Sequence, residues 1–542
     1  MILIFNKVQF EYDIRGLITA FFPGMVVETR SRELLSACEE NQPGKQAKIH
    51  TPDVYDEALL YLAESFGKRD DIDSERVYVE KMDCRYRGTG AEEKETGIFQ
   101  GMRKAFAVYY GKNRISVCAE DGENRYFSAA FADEGETAGK NQLKRMTYWI
   151  FSRMTGGMEH PWGTLTGIRP VKLPMAMMEE GCSDEQIEKE LKRNYLIGDE
   201  KCRLSIQIAH KERKLLSQLD YEDGYSLYIG IPFCPTTCLY CSFTSYPYSR
   251  WEKRMEEYVQ ALEKEIRFVK DHFAGKKLNT IYFGGGTPTT LPPVYLDRIL
   301  RQITEGFDLS YLKEWTVEGG RPDSITPEKL EVMRRYPVDR ISINPQTMKQ
   351  ETLDLIGRRH TVEDVKRAFA MARDAGFDNI NMDLIIGLPQ ERTEDVARTM
   401  EEIMKLDPDN LTVHTLAIKR ASRLNMEKEQ YSHLYLEQNT TEMMNITAAG
   451  AAKMGMNPYY LYRQKNMSGN LENVGYARPG KEGIYNILIM EEKQSIVALG
   501  AGAVTKRVRK DGVMERAANV KDIEQYLTRT EEMIERKQKL FE

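Results

Sequence analysis

Three cysteines, Cys234, Cys238 and Cys241, lie in "YIGIPFCPTTCLYCSF" (residues 228–243) with the spacing C-x3-C-x2-C. The chain has eight cysteines in 542 residues, so three within eight consecutive positions mark a local thiol site. Structural zinc takes four protein ligands. No fourth Cys or His stands nearby, because Ser242 and Phe243 follow and the next histidine is His272. A redox pair of Cys238 and Cys241 would leave Cys234 without a task, and a catalytic zinc held by three thiolates normally includes a histidine. The spacing favours an iron–sulfur cluster held by three thiolates. The fourth iron would then stay open to a small molecule.

Two further stretches could do chemistry. Gly284, Gly285 and Gly286 follow the apolar run "TIYF" and precede Thr287. Without side chains their backbone can approach a ligand closely. No Lys-Ser or Lys-Thr follows, so this is not a phosphate-binding Walker loop. Glu318 ends the apolar run "EWTVEG", where a carboxylate could take an ammonium or a pair of hydroxyls by charge-assisted hydrogen bonds.

The elements that must position these residues alternate regularly from residue 226. Strand candidates are "SLYIGIP", "TIYFGGG", "EWTVEG", "DRISINP", "NINMDLIIG" and "NLTVHTLA". Helix candidates between them are "RMEEYVQALEKEIRFVKDHF", "PVYLDRILRQITEGF", "TPEKLEVMRRY", "TVEDVKRAFAMARDAG" and "TEDVARTMEEIMKL". Thr361 before Asp364 and Thr393 before Asp395 are expected helix caps. Strand–helix alternation implies βαβ units and a parallel sheet. Six units are too few for an eight-fold barrel and suit a partial (βα)6 barrel, whose cleft lies at the strand C-termini. Each motif falls on that face, just after a strand.

The rest of the chain sets the context. Hydrophobic residues are 41% and charged residues 30%, as in ordinary globular proteins. The net charge of -6 argues against a nucleic-acid scaffold. No run approaches the roughly 20 apolar residues of a membrane span, and "MILIFNKVQFEYDIRG" has no signal-peptide pattern. The other cysteines, at 38, 84, 118, 182 and 202, are scattered and form no disulfide framework, which fits a reducing cytoplasm. Four segments are expected: an α+β domain over 1–165, a helical connector over 166–222, the barrel over 223–420 and a mostly helical C-terminal domain over 421–542. His360 and His414 are read as structural.

The cysteine motif resembles that of the radical S-adenosylmethionine (SAM) superfamily. "YFGGGTPT", "RISINPQTM", "LDLIGRRHT", "NMDLIIGLP" and "LGAGAVT" then follow in the order found in oxygen-independent coproporphyrinogen III oxidases. "PWGTLTGIRPVKL" resembles the HemZ-type branch, the coproporphyrinogen dehydrogenases. The resemblance implies a [4Fe–4S] cluster on Cys234, Cys238 and Cys241, with SAM on the open iron. It also implies SAM contacts at Tyr228, Tyr240, Gly285, Gly286, Thr287 and Glu318. A second SAM is implied at Gln346, Arg358 and Asp383, with apolar contacts from Ala417 and Val504.

The implied activity is oxidative decarboxylation of coproporphyrinogen III to protoporphyrinogen IX, fed by a reductase or a flavodoxin- or ferredoxin-type donor. The sequence departs from the oxidases at Gly230, where they carry His, and at Phe243, where they carry a fourth Cys. It departs from the haem chaperones at "GIYNILIM", where Tyr485 replaces the His of a His-Asn pair. Haem trafficking on the same scaffold, or a radical reaction on haem, therefore stand as alternatives. Arg321, held extended by Pro322, is expected either to clamp a reactant's carboxylate or to brace its loop through Glu318 or Asp323.

Overall fold

The computed structural model describes residues 1–31, 49–50, 54–69, 76–81, 104–419, 421–427, 439–464, 467 and 470–542. Cys38 and Cys84 lie outside these residues. Two compact units form: Met1–Gly167 with Cys182–Arg203, and Ile168–Gly181 with Leu204–Glu542. The stretch expected as a connector is thus divided between them.

The first unit is α+β. Its strands are β1 (Ile2–Phe5), β2 (Glu28–Ser31), β3 (Ile49–His50), β4 (Tyr78–Lys81), β5 (Ala105–Tyr110), β6 (Arg114–Glu120) and β7 (Asn124–Phe131). They form one mixed sheet in the order β3-β2-β1-β5-β6-β7-β4. Strand alternation divides its apolar residues between two faces. Leu3, Phe5, Phe106 and Val108 join a core with helices Glu11–Phe21 and Glu136–Met154. Ile2, Ile4, Ala105 and Ala107 join Leu59, Leu60 and Ala63 of helix Val54–Gly67.

The second unit carries the partial barrel. Its parallel strands are β8 (Gly224–Ile231), β11 (Lys277–Gly285), β12 (Glu314–Gly320), β13 (Arg340–Ile343), β14 (Ile380–Ile386) and β15 (Asn410–Thr415). They are hydrogen-bonded in sequence order, β8-β11-β12-β13-β14-β15, all in parallel. The short strands β9 (Phe233–Cys234) and β10 (Tyr246–Pro247) pair beside this sheet. The five expected helices are Met255–His272, Pro293–Gly306, Pro327–Arg334, Val362–Asp374 and Thr393–Leu406. The first buries Tyr258, Val259, Leu262, Ile266 and Val269, the stripe of an amphipathic helix.

Thr361 caps its helix as expected, with Thr361 and Asp364 each accepting the other's backbone N–H. At the second expected cap the helix already begins at Thr393, so the cap position falls on Arg392. There Asp395 accepts the Arg392 N–H at 3.0 Å.

Residues beyond 420 contain helices Thr440–Lys453, Ile484–Glu491, Ile523–Thr528 and Thr530–Phe541. They also complete the barrel sheet. Strands β16 (Asn457–Tyr462) and β17 (Asn473–Ala477) extend it antiparallel beyond β15. On the other edge β18 (Ser495–Leu499) pairs parallel with β8 and leads into β19 (Val504–Val508) and β20 (Met514–Ala518). No helix of the described residues is long and apolar enough to cross a membrane.

Candidate functional site

The barrel strands alternate in an unusual sense. One set of alternate residues, Leu227, Ile229, Ile281, Phe283, Trp315, Val317, Ile341, Met382, Leu384, Leu411 and Val413, is apolar and buried. The other set is polar and bonds across strands. The Thr280 hydroxyl donates to Ser226 at 2.7 Å, Tyr282 to Glu318 at 2.6 Å and Thr412 to Asn381 at 3.0 Å. His414 Nε2 lies 3.7 Å from Asp383. A polar barrel interior of this kind pairs its buried groups with each other and leaves the upper ones to face a ligand.

At the C-terminal ends of these strands lies a cleft of about 230 Å³. It is lined by Cys234, Cys238 and Cys241 with Tyr240, Gly285, Gly286, Thr287, Glu318, Gln346, Arg358, Asp383 and Ala417. Residues spread over nearly two hundred positions thus meet at one site. Tyr228 and Val504 are not in this lining. Tyr228 sits beside the stacked rings of Tyr282 (6.2 Å) and Tyr485 (6.3 Å). Val504 is 40% exposed at the start of β19.

The cysteine loop is pinned from several sides. Gly286 N–H donates to Ile231 O at 2.8 Å and Thr287 N–H to Phe233 O at 2.7 Å. Leu239 N–H donates to Ile356 O, and the Leu239 side chain sits among Ile356, Ile385, Leu388, Leu416 and Leu424. A Cβ on Gly286 would stand 2.6 Å from Phe233 O and 3.0 Å from Cys234 Sγ. The glycine run therefore serves close approach to the cysteine loop, rather than to a ligand alone. Gly285 has φ of +107°, a conformation that favours glycine.

All three cysteines are free and partly buried. Burial pushes the Cys234 thiol up to about 11, despite a Thr287 hydroxyl donated at 3.5 Å, and also raises Cys241. Redox-exchange thiols need the opposite shift, so these become thiolates only with a cation beside them. Among the described residues no group of three or more His, Cys, Asp or Glu is set to hold a single metal ion. In a cluster each thiolate takes its own iron, so this donor set of three thiols and nothing else fits an iron–sulfur cluster.

Around the loop, burial drives the Glu318 carboxyl up to about 7 against the Tyr282 hydroxyl that it accepts. Burial also opposes ionisation of Asp383, but bonds from His414 and Asn381 outweigh it and hold Asp383 below its ordinary value. Arg358 is 3% exposed and donates to Tyr240 Oη (3.1 Å), Asn344 O (2.6 Å) and Gly320 O (3.2 Å). Among the described residues its Nε, Asn344 Oδ1 and Gln346 Oε1 are buried without a hydrogen-bond partner. Gln346 sits at φ +68°, rare for a residue with a side chain and a mark of functional strain.

Arg321 is decided by its partners. Its Nε and Nη2 fork onto Asp323 at 2.9 and 2.7 Å, and Nη1 donates to Thr236 of the cysteine loop. The fork is spent on bracing the loop. His360 is buried beside Asp323, burial drives it down to about 4, and neither of its ring nitrogens has a hydrogen-bond partner among the described residues.

His414 belongs to the site, contrary to the expectation of a core histidine. It lines the cleft with Tyr462, whose hydroxyl lies 3.4 Å from its Nδ1. Lys419 and Asn344 line it as well. The parity of β15 could have found His414, since Thr412 and His414 share the face that meets Asn381 and Asp383. Two departures in sequence also acquire a place. A side chain at Gly230 would put Cβ 3.0 Å from Leu499 O and 3.3 Å from the Tyr228 ring. Tyr485 stacks on Tyr282 at 4.4 Å and forms part of the barrel floor.

Known proteins place this architecture. A family profile described as the Radical SAM superfamily matches residues 228–403. The oxygen-independent coproporphyrinogen-III oxidase-like protein HemZ of Bacillus subtilis is 42% identical over 433 residues, covering 78% of this chain and 85% of that protein. The heme chaperone HemW of the same organism is 31% identical over 280 residues, covering 51% of this chain and 70% of its own. The structure of the Escherichia coli coproporphyrinogen III oxidase HemN, a radical SAM enzyme, aligns with TM-score 0.48 and 24% identity, over 59% of this chain and 73% of that one. A radical SAM domain implies a [4Fe–4S] cluster and SAM, which is what the three-thiol loop fits. The chain belongs to the oxygen-independent coproporphyrinogen III oxidase family of the radical SAM superfamily, in its HemZ-type branch.

Proposed function

We propose that this chain oxidatively decarboxylates two propionates of coproporphyrinogen III to vinyl groups, giving protoporphyrinogen IX. The observation that carries this reading is the convergence of Cys234, Cys238, Cys241, Glu318, Gln346, Arg358 and Asp383 on one cleft at the strand C-termini. It is supported by the name of a relative matched over most of the chain, an oxygen-independent coproporphyrinogen-III oxidase-like protein. Bound together, the cluster and SAM supply a radical able to take a hydrogen atom from an unactivated carbon. Each propionate would give up a β-hydrogen atom to that radical and then CO2 and one electron, the electron passing to a one-electron acceptor, leaving a vinyl group. A reductase or a flavodoxin- or ferredoxin-type partner is the proposed electron donor.

The chain's own task is positioning, because a free radical reacts with whatever lies nearest. Cys234, Cys238 and Cys241 would hold the cluster. The apolar cluster around Leu239 keeps the loop seated and water out from beneath it. Glu318 would take an ammonium of SAM, a role suited to a carboxylate whose burial is relieved by a cation. The Nε of Arg358 and Oε1 of Gln346, which have no hydrogen-bond partner among the described residues, would serve a second SAM, with Asp383 and Ala417 lining the same cleft. Asp383 comes to that task already bonded to His414 and Asn381.

The test is anaerobic reconstitution, then product analysis with coproporphyrinogen III and with haem. Vinyl products and SAM cleavage that require coproporphyrinogen III support the reading. SAM cleavage with haem alone, or tight haem binding without any turnover, overturns it.

A further inference from the structure

The proposed reaction needs a cation that fixes a propionate, and most cations of the cleft are already engaged. Arg321 is forked onto Asp323, Arg358 is bonded to Tyr240 and two carbonyls, and His414 faces Asp383. Lys419 differs. It lines the same cleft four residues after the end of β15 and is half-buried. Among the described residues its ammonium makes no ion pair with a carboxylate; its neighbours are the ring of Phe243, 5.4 Å away, and the Cys241 thiol, with which it interacts electrostatically. Phe243 follows the last cysteine by two positions and is 69% exposed, a high value for so large an apolar side chain. The lysine backbone is fixed, because both the N–H and the hydroxyl of Ser422 donate to Lys419 O.

We propose that Lys419 and Phe243 form the propionate-recognition lip of the cleft, the ammonium taking a carboxylate and the ring covering the apolar edge of the same substrate. This inference rests on the decarboxylase reading and names the residues that select its substrate. Burial opposes the charge of Lys419, and a carboxylate held beside the ammonium would favour it again through a charge-assisted hydrogen bond. The lip stands beside Cys241, so a carboxylate held there puts its propionate chain next to the cluster loop. Phe243 occupies the position where a fourth cysteine is expected in the oxidases, and here that position offers a flat apolar surface instead.

The test uses the anaerobically reconstituted holoenzyme and two probes, coproporphyrin III and its tetramethyl ester, titrated by absorbance. Wild type should bind the free acid about tenfold or more tighter than the ester. Lys419→Met should erase most of that preference, and Lys419→Arg should keep it. Iron content and SAM affinity should be unchanged in both variants. Full preference retained in Lys419→Met overturns the inference. So does a parallel loss of SAM affinity, which would assign the ammonium to SAM instead. If wild type binds neither macrocycle, the decarboxylase reading itself fails and the lip fails with it.

Discussion

Replacing Arg321 by Lys separates bracing of the cysteine loop from binding of a reactant. Arg321 is 3% exposed and donates twice to Asp323 and, from one nitrogen, to both the hydroxyl and the carbonyl of Thr236. Lysine keeps the charge and one bond but cannot span both partners. Hydrogen bonds to charged groups contribute about 1.5–3 kcal/mol each. Two lost bonds would give more than that, but the Asp323 side chain is 27% exposed and water recovers part of it. A net cost of about 2–3 kcal/mol follows, or roughly 30- to 150-fold in the population of a detached loop.

The assay is the rate at which an iron chelator strips the reconstituted protein under strict anaerobiosis. Arg321→Lys should reconstitute, lose iron faster by up to that factor, and retain turnover per bound cluster. The bracing argument is refuted by a variant that holds iron as firmly as wild type but no longer turns over. Arg321 would then be gripping a reactant that the Asp323 fork conceals.

Other outcomes test other parts of the site. Cys238→Ala should abolish bound iron and sulfide while Cys202→Ala, a fully buried thiol in the other compact unit, should change neither; iron loss in the Cys202 variant would refute the ligand set. Glu318 has its folded value raised to about 7 from 4.5, so its ionised form is disfavoured in the empty site and protonation below pH 7 removes the charge that an ammonium needs. SAM affinity should therefore rise with pH up to about 7 and level off above it, and Glu318→Gln should flatten that profile. Arg358→Ala should weaken SAM binding about ten- to a hundred-fold at one of two sites with iron content intact, and a single SAM per chain in wild type would refute the second site. Lys537 of the last helix is buried against Glu265 at 2.6 Å, and Glu265 in turn accepts the Gly500 N–H; Lys537→Met should cost about 3–5 kcal/mol in urea unfolding, and a variant as stable as wild type would show that the buried pair holds nothing.

The sequence alone determined the cysteine spacing, the six strands and five helices of the barrel, and the family motifs. These are properties of local stretches: a C-x3-C-x2-C loop, apolar runs bounded by glycine, amphipathic stripes. The tertiary structure decided which residues meet. His414 was read as core because a lone histidine in a strand gives no sign of what faces it; the register of β15 on β14 brings it to Asp383. Lys419 gives no sign in the sequence, because its place in the cleft beside Phe243 and Cys241 follows only once the end of β15 is packed there. Tyr228 lies outside the cleft lining because its ring packs against Tyr282 and Tyr485, and Val504 because it stands on β19, beyond β18. Arg321 had two equal readings until Asp323 and Thr236 closed on its guanidinium. The physical reason is common to all five: backbone pattern follows from neighbours in sequence, whereas the surroundings of a side chain are supplied by whichever distant element packs against it.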